Sequence, residues 1–100
     1  MIGSDAYCGL ANGKSPSECS KSDIESREQC EAHCTHQASC IGYSYGPKWC
    51  MLNPTDDKLS DDTCPNGWKY FQYDGPAKTV NDLKPNKETG YVCYGKNPGK

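Results

Sequence analysis

Polar residues dominate the chain, and the apolar ones fall into short, separated groups. The clearest pattern runs from Ser26 to Gln37. Cys30 and Cys34 stand four residues apart and so share one helical face, flanked by Ala32, His33 and Gln37. Ser26 followed by Gln29 reads as a capping box, and Glu28 in the first turn suits the helix dipole. A helix is expected over 26–37. Over 40–45 the period changes to two: Ile41, Tyr43 and Tyr45 alternate with small residues, as in a strand. Gly46-Pro47 interrupts that pattern, and 49–52 reads as the returning strand of a hairpin. A polar loop from Asn53 to Asp62 follows, then a turn at Pro65-Asn66-Gly67. An aromatic strand is expected at 68–73, ended by Asp74-Gly75-Pro76. After a long irregular stretch, 91–94 reads as a last strand. Residues 1–21 have no clear period and read as loop with a short strand. One helix among several short strands defines a small α+β unit.

Composition says what must hold such a unit together. Of 100 residues only 34% are apolar, and the mean hydropathy is -0.91. A chain this small and polar buries little apolar surface. The eight cysteines supply the alternative. An even, dense cysteine count in a short polar chain reads as a disulfide framework, and therefore as an oxidising compartment. A secreted or extracellular location, or a secretory organelle, is expected. Eight cysteines permit about 105 pairings, and spacing alone leaves them open. No C-x-x-C pair occurs, which speaks against a cytosolic metal or redox protein. The longest apolar run is a few residues, so no membrane insertion is expected. Met1-Ile2-Gly3-Ser4 is too short for a secretory signal and reads as an initiator followed by residues foreign to the domain. The domain itself is expected over 5–96. Asn53-Pro54-Thr55 carries the proline that forbids N-glycosylation.

Charge narrows the partner classes. The net charge is -2, with basic residues concentrated after residue 68 but scattered among Pro, Gly and Asn. No basic run marks a nucleic-acid footprint, so no nucleic acid is expected. Cys30, Cys34, Cys40, His33 and His36 form a conceivable zinc set, but C-x3-C-x5-C is not a common zinc spacing. The two histidines read instead as exposed helix residues. Asp56, Asp57, Asp61 and Asp62 lack the D-x-D-x-D-G pattern of a calcium loop and read as a solvated acidic segment. No nucleophile elbow, phosphate loop or unpaired thiol is legible, so neither catalysis nor a cofactor is expected.

The residues from 26 to 52 are more specific. Ser26, then Cys30-x3-Cys34-x5-Cys40, then Ile41-Gly42-Tyr43-Ser44-Tyr45 and Trp49-Cys50-Met51-Leu52 together resemble the apple/PAN module. Cys8 and Cys93 stand where that family's first and last cysteines tie the module's ends. The resemblance is close over 26–52 and loose over 53–90. It implies an antiparallel sheet cradling one helix, and a non-catalytic module that binds glycans or proteins, as in the adhesin and lectin branch. It also implies disulfides Cys30–Cys50, Cys34–Cys40 and Cys8–Cys93, which leaves Cys19 with Cys64. That last pair departs from the family's six-cysteine pattern.

Seven tyrosines and two tryptophans exceed what a small core needs, and both types are favoured at recognition surfaces. With Cys50 and Leu52 inward, Trp49 and Met51 fall on the opposite face of their strand. There Trp49 either forms an apolar platform beside Lys48 or packs under the loop 53–64. The expected site is a shallow saccharide pocket of His36, Tyr43, Tyr45, Lys48 and Trp49, near the helix's C-terminal end. Its partner is expected to be a glycan or glycoprotein, with a docked protein as the alternative. One shallow site implies affinity of order 0.1–1 mM, raised by avidity where domains repeat.

Overall fold

The structure is a computed structural model and describes residues 2–55, 64–74 and 77–96. The described elements are β1 (Gly3–Gly9), β2 (Glu18–Ser22), α1 (Arg27–His36), β3 (Cys40–Gly46), β4 (Trp49–Pro54), β5 (Lys69–Phe71) and β6 (Lys84–Gly95). Short 3-10 turns occupy Ala11–Gly13 and Val80–Asp82. The six strands form one antiparallel sheet in the order β1-β6-β3-β4-β2-β5. α1 packs on β3 and β4, at the centre of one face. The chain is a small disulfide-rich domain with one helix against an antiparallel sheet, which is the α+β arrangement at its coarsest.

The helix starts where its sequence directs. Ser26 Oγ accepts from the Gln29 amide at 3.2 Å, capping the first turn. Gln29 Oε1 reaches back one residue further than a capping box requires and accepts from the Glu25 amide at 2.9 Å. Cys30 and Cys34 are buried as the i, i+4 pair. They join Cys19, Ile24, Cys40, Tyr43, Cys50, Leu52, Cys64 and Trp68 in the main core. Four disulfides, Cys8–Cys93, Cys19–Cys64, Cys30–Cys50 and Cys34–Cys40, use every cysteine, and they are the partners named above from the resemblance.

Three differences from the sequence reading reshape the sheet. Strand structure begins before residue 5: Gly3 pairs with Cys93, and the Ile2 amide donates to Cys93 O at 2.7 Å. β6 starts at Lys84, far ahead of the expected 91–94, and pairs with β1 through Pro85 and Asn86. Lys, Pro, Asn and Glu are poor strand formers. They are tolerated because only β1 pairs with this stretch, so Pro85 interrupts no second ladder. Finally, a bulge between Cys40 and Gly42 leaves Ile41 outside the β3–β4 register. Ile41 therefore joins a second cluster of Cys8, Ala77, Leu83 and Cys93, with Ile2 and Leu10 at its edge.

Candidate functional site

The expected pocket does not assemble, because its residues divide between two faces of the sheet. On β3 and β4, register partners share a face: Tyr43 lies opposite Leu52, and Tyr45 opposite Cys50. Both tyrosines therefore face the helix. Tyr43 is 2% exposed and its hydroxyl accepts from Arg27 Nη1 at 2.9 Å. The Tyr45 hydroxyl donates to Ile24 O at 2.8 Å. Trp49 pairs with Gly46 on the opposite, outer face and is 37% exposed. Lys48 holds the hairpin turn in a left-handed conformation, with φ 58°, and its carbonyl accepts from the Ile24 amide at 3.1 Å. His36 is exposed on the last helical turn, beside a cleft it shares with His33, Gln37, Cys64 and Pro65. His33 is not a free surface residue; its ring lies 4.9 Å from the ring of Trp68. Among the described residues no cluster of His, Cys, Asp and Glu stands close enough to hold a metal. Asp56, Asp57, Asp61 and Asp62 lie outside the described residues.

The outer face carries a different cleft, of about 300 Å³, lined by Tyr7, Ser15, Glu18, Met51, Tyr73, Glu88 and Tyr91. Period two in β2 explains its floor. Cys19 faces the helix side and is fully buried, so Glu18 and Ser20 face outward. Each aromatic wall is held in place. The Tyr91 ring lies against Gly46, where a Cβ would come within 2.5 Å of the ring carbons, so only glycine admits that wall. Tyr7 Oη is within 3.2 Å of Ser15 Oγ and accepts from Asn86 Nδ2 at 3.3 Å. The segment carrying Tyr73 is clipped to the one before β2. The Ser15 amide donates to Asp74 Oδ2 at 2.9 Å, and the Asp74 amide donates to Ser15 O at 3.0 Å. The Tyr73 amide donates to Ser17 Oγ at 3.4 Å, while its ring stacks on Phe71.

Glu18 dominates the electrostatics of this cleft. It is only 9% exposed. Burial pushes its carboxyl up to about 7, because the charged form has lost water. Ser20 opposes that shift to a lesser extent. Its hydroxyl makes no hydrogen bond of good geometry, so the help it gives the carboxylate is weak. Among the described residues no cation contributes to the ionisation of Glu18. Tyr73 feels the same surroundings: desolvation first, then the Glu18 charge, push its hydroxyl above the usual range.

A second groove on the same face, about 220 Å³, is lined by Ser20, Lys21, Ser22, Trp49, Gly67, Lys69 and Phe71. Trp49 thus belongs to the outer face beside the cleft, separated from Tyr43 and Tyr45 by the sheet itself. Sequence reasoning missed Glu18, Tyr7 and Tyr91 because the signal is not local. The alternation Glu18-Cys19-Ser20 says which way Glu18 points. What covers that face comes from residues some 55 and 70 positions away. Comparison of the chain with known protein families, with curated proteins and with solved structures finds no match.

Proposed function

We propose that the chain is a non-catalytic extracellular binding module of the apple/PAN type, which holds a saccharide in the outer cleft of Tyr7, Glu18, Tyr73 and Tyr91. The observation that carries this reading is the buried Glu18 carboxyl on the floor of a tyrosine-walled cleft. Aromatic faces match the apolar face of a sugar ring, and a carboxylate accepts from neighbouring hydroxyls. Tyrosine and serine hydroxyls around the rim add donors and acceptors. A cleft of about 300 Å³ has the room of roughly ten waters, at ~30 Å³ each, and so suits a single ring rather than a long chain. Four disulfides support an oxidising compartment. Among the described residues no helix is long and apolar enough to cross a membrane. With every cysteine in a disulfide, no thiol nucleophile is available for catalysis.

A glycan array with the intact chain, beside a Tyr73→Ala variant, tests the reading. Binding that the variant loses supports it; an array with no signal at any glycan overturns it. The protein-docking alternative has one specific observation in its favour. Trp49 and Phe71, each 37% exposed, line the same groove on the outer face. Partner capture that Trp49→Ala abolishes and Tyr73→Ala leaves intact would favour it.

A further inference from the structure

We propose that the saccharide selected by the outer cleft is positively charged: an amino sugar whose protonated amine sits against the Glu18 carboxylate, among Tyr7, Tyr73 and Tyr91. This rests on the saccharide reading above and names the class of sugar.

The first argument is charge. Among the described residues the cleft is lined by two carboxylates, Glu18 and Glu88, and by no basic side chain. Lys69 pairs in register with Ser20 on the same face but lines the neighbouring Trp49 groove. Glu18 is nine-tenths buried, and no hydrogen bond or ion pair to its side chain from a cation occurs among the described residues. A buried carboxylate without a counter-ion is unfavourable, and a ligand that brings one relieves that penalty. A neutral sugar leaves the charge uncompensated.

The second argument is the wall. Three tyrosines line the cleft with this carboxyl, and the face of an aromatic ring attracts a cation. Met51 closes the cleft from β4 with a polarisable, uncharged side chain. The combination of aromatic rings and an acid is the chemistry that recognises an organic ammonium. The ring hydroxyls and Ser15 remain for the sugar's own hydroxyls.

Ionisation supplies an independent handle. Cation binding favours ionised Glu18, so affinity for a permanently charged probe rises as pH passes through about 7. Among the described residues the other titratable groups that line the cleft are Tyr7 from β1, Tyr73 after β5, and Glu88 and Tyr91 from β6.

Titration of the intact protein at pH 7 with glucosamine, glucose and N-acetylglucosamine, followed by amide shifts, tests the inference. Glucosamine is expected to bind at least about tenfold tighter than either neutral sugar, and Glu18→Gln is expected to reduce that advantage to under about threefold. Tetramethylammonium, titrated into the unaltered chain, is expected to bind about tenfold tighter at pH 8 than at pH 6, as Glu18 becomes ionised. Equal affinity for all three sugars overturns the charged-sugar inference and leaves the saccharide reading standing. No shift with any sugar overturns both. Glu18-dependent binding of a lysine amide, with no sugar bound, assigns the ammonium site to a protein ligand and overturns both as well.

Discussion

The Arg27 guanidinium donates to the Tyr43 hydroxyl at 2.9 Å, tying the first turn of the helix to β3, one of the two central strands of the sheet. The same guanidinium lies 5.1 Å from the centre of the Tyr94 ring, which stacks on Tyr43. It also pairs with Glu31 one turn along. One side chain thus locks helix, β3 and β6 together, and it takes Tyr43 out of any ligand site.

That relationship makes the first prediction. Tyr43→Phe is expected to cost about 1–2 kcal/mol, since it removes a hydrogen bond to a charged donor while keeping the ring. Arg27→Ala is expected to cost somewhat more, because the cation–ring contact goes too. Urea denaturation at neutral pH reads both. Neither change is expected to weaken saccharide binding, because both residues act on the helix side.

Cys8–Cys93 closes a loop of 85 residues between β1 and β6. On the chain-entropy account such a crosslink stabilises by about 4–5 kcal/mol. It also anchors the second cluster, where Ala77 and Leu83 pack. Replacing both cysteines by alanine is expected to release β1 first. Loss of amide protection in β1 and the 84–87 part of β6, with α1 still protected, is the expected hydrogen-exchange pattern. Uniform loss across the sheet would show that the domain has no such subdivision.

Glu18 makes stability fall as pH rises. Its folded-state value of about 7 lies above the ordinary 4.5, so the folded chain retains a proton that the unfolded chain has released. The stabilising protonated state is fully present below about 4.5 and is lost as pH rises through about 7. The full loss is of order 3 kcal/mol. Glu18→Gln is expected to flatten this part of the pH profile and to be the more stable form at pH 8. A variant whose pH profile parallels that of the unaltered chain would contradict the raised carboxyl.

Much of this architecture was legible from local pattern. The Cys30–Cys34 spacing and Ser26 located the helix, and the alternation at Tyr43 and Tyr45 located β3, because both signals lie within one turn or one strand. The cysteine count pointed to a crosslinked domain, and four disulfides form. The early part of β6 was hidden by Lys84, Pro85 and Asn86, whose pairing with β1 is a long-range event. Facing was the harder problem for the site. Period two correctly sends Trp49 outward, but the same rule applied to Tyr43 and Tyr45 through their partners Leu52 and Cys50 sends them to the helix. The cleft that does form joins residues from both ends of the chain. Only the closure of β1 and β6 onto the sheet brings Tyr7 and Tyr91 to Glu18.

Trp49 lines the second groove of the outer face and not the cleft. It is 37% exposed and absent from both cores, so Trp49→Ala is expected to cost about 1–2 kcal/mol, less than a core truncation. Saccharide affinity is expected to hold within about twofold, because Trp49 lines the neighbouring groove and not the cleft. A tenfold loss of saccharide binding, read by titration calorimetry, would move the site to Trp49.

The most direct test of the account is a map of amide shifts as a saccharide is titrated into the intact, oxidised protein. The expected result is a cluster on Tyr7, Glu18, Met51, Tyr73 and Tyr91, with the helix and its C-terminal residues His33 and His36 unmoved. Shifts centred on His36, Tyr45 and Lys48, or no shifts with any sugar, would contradict it.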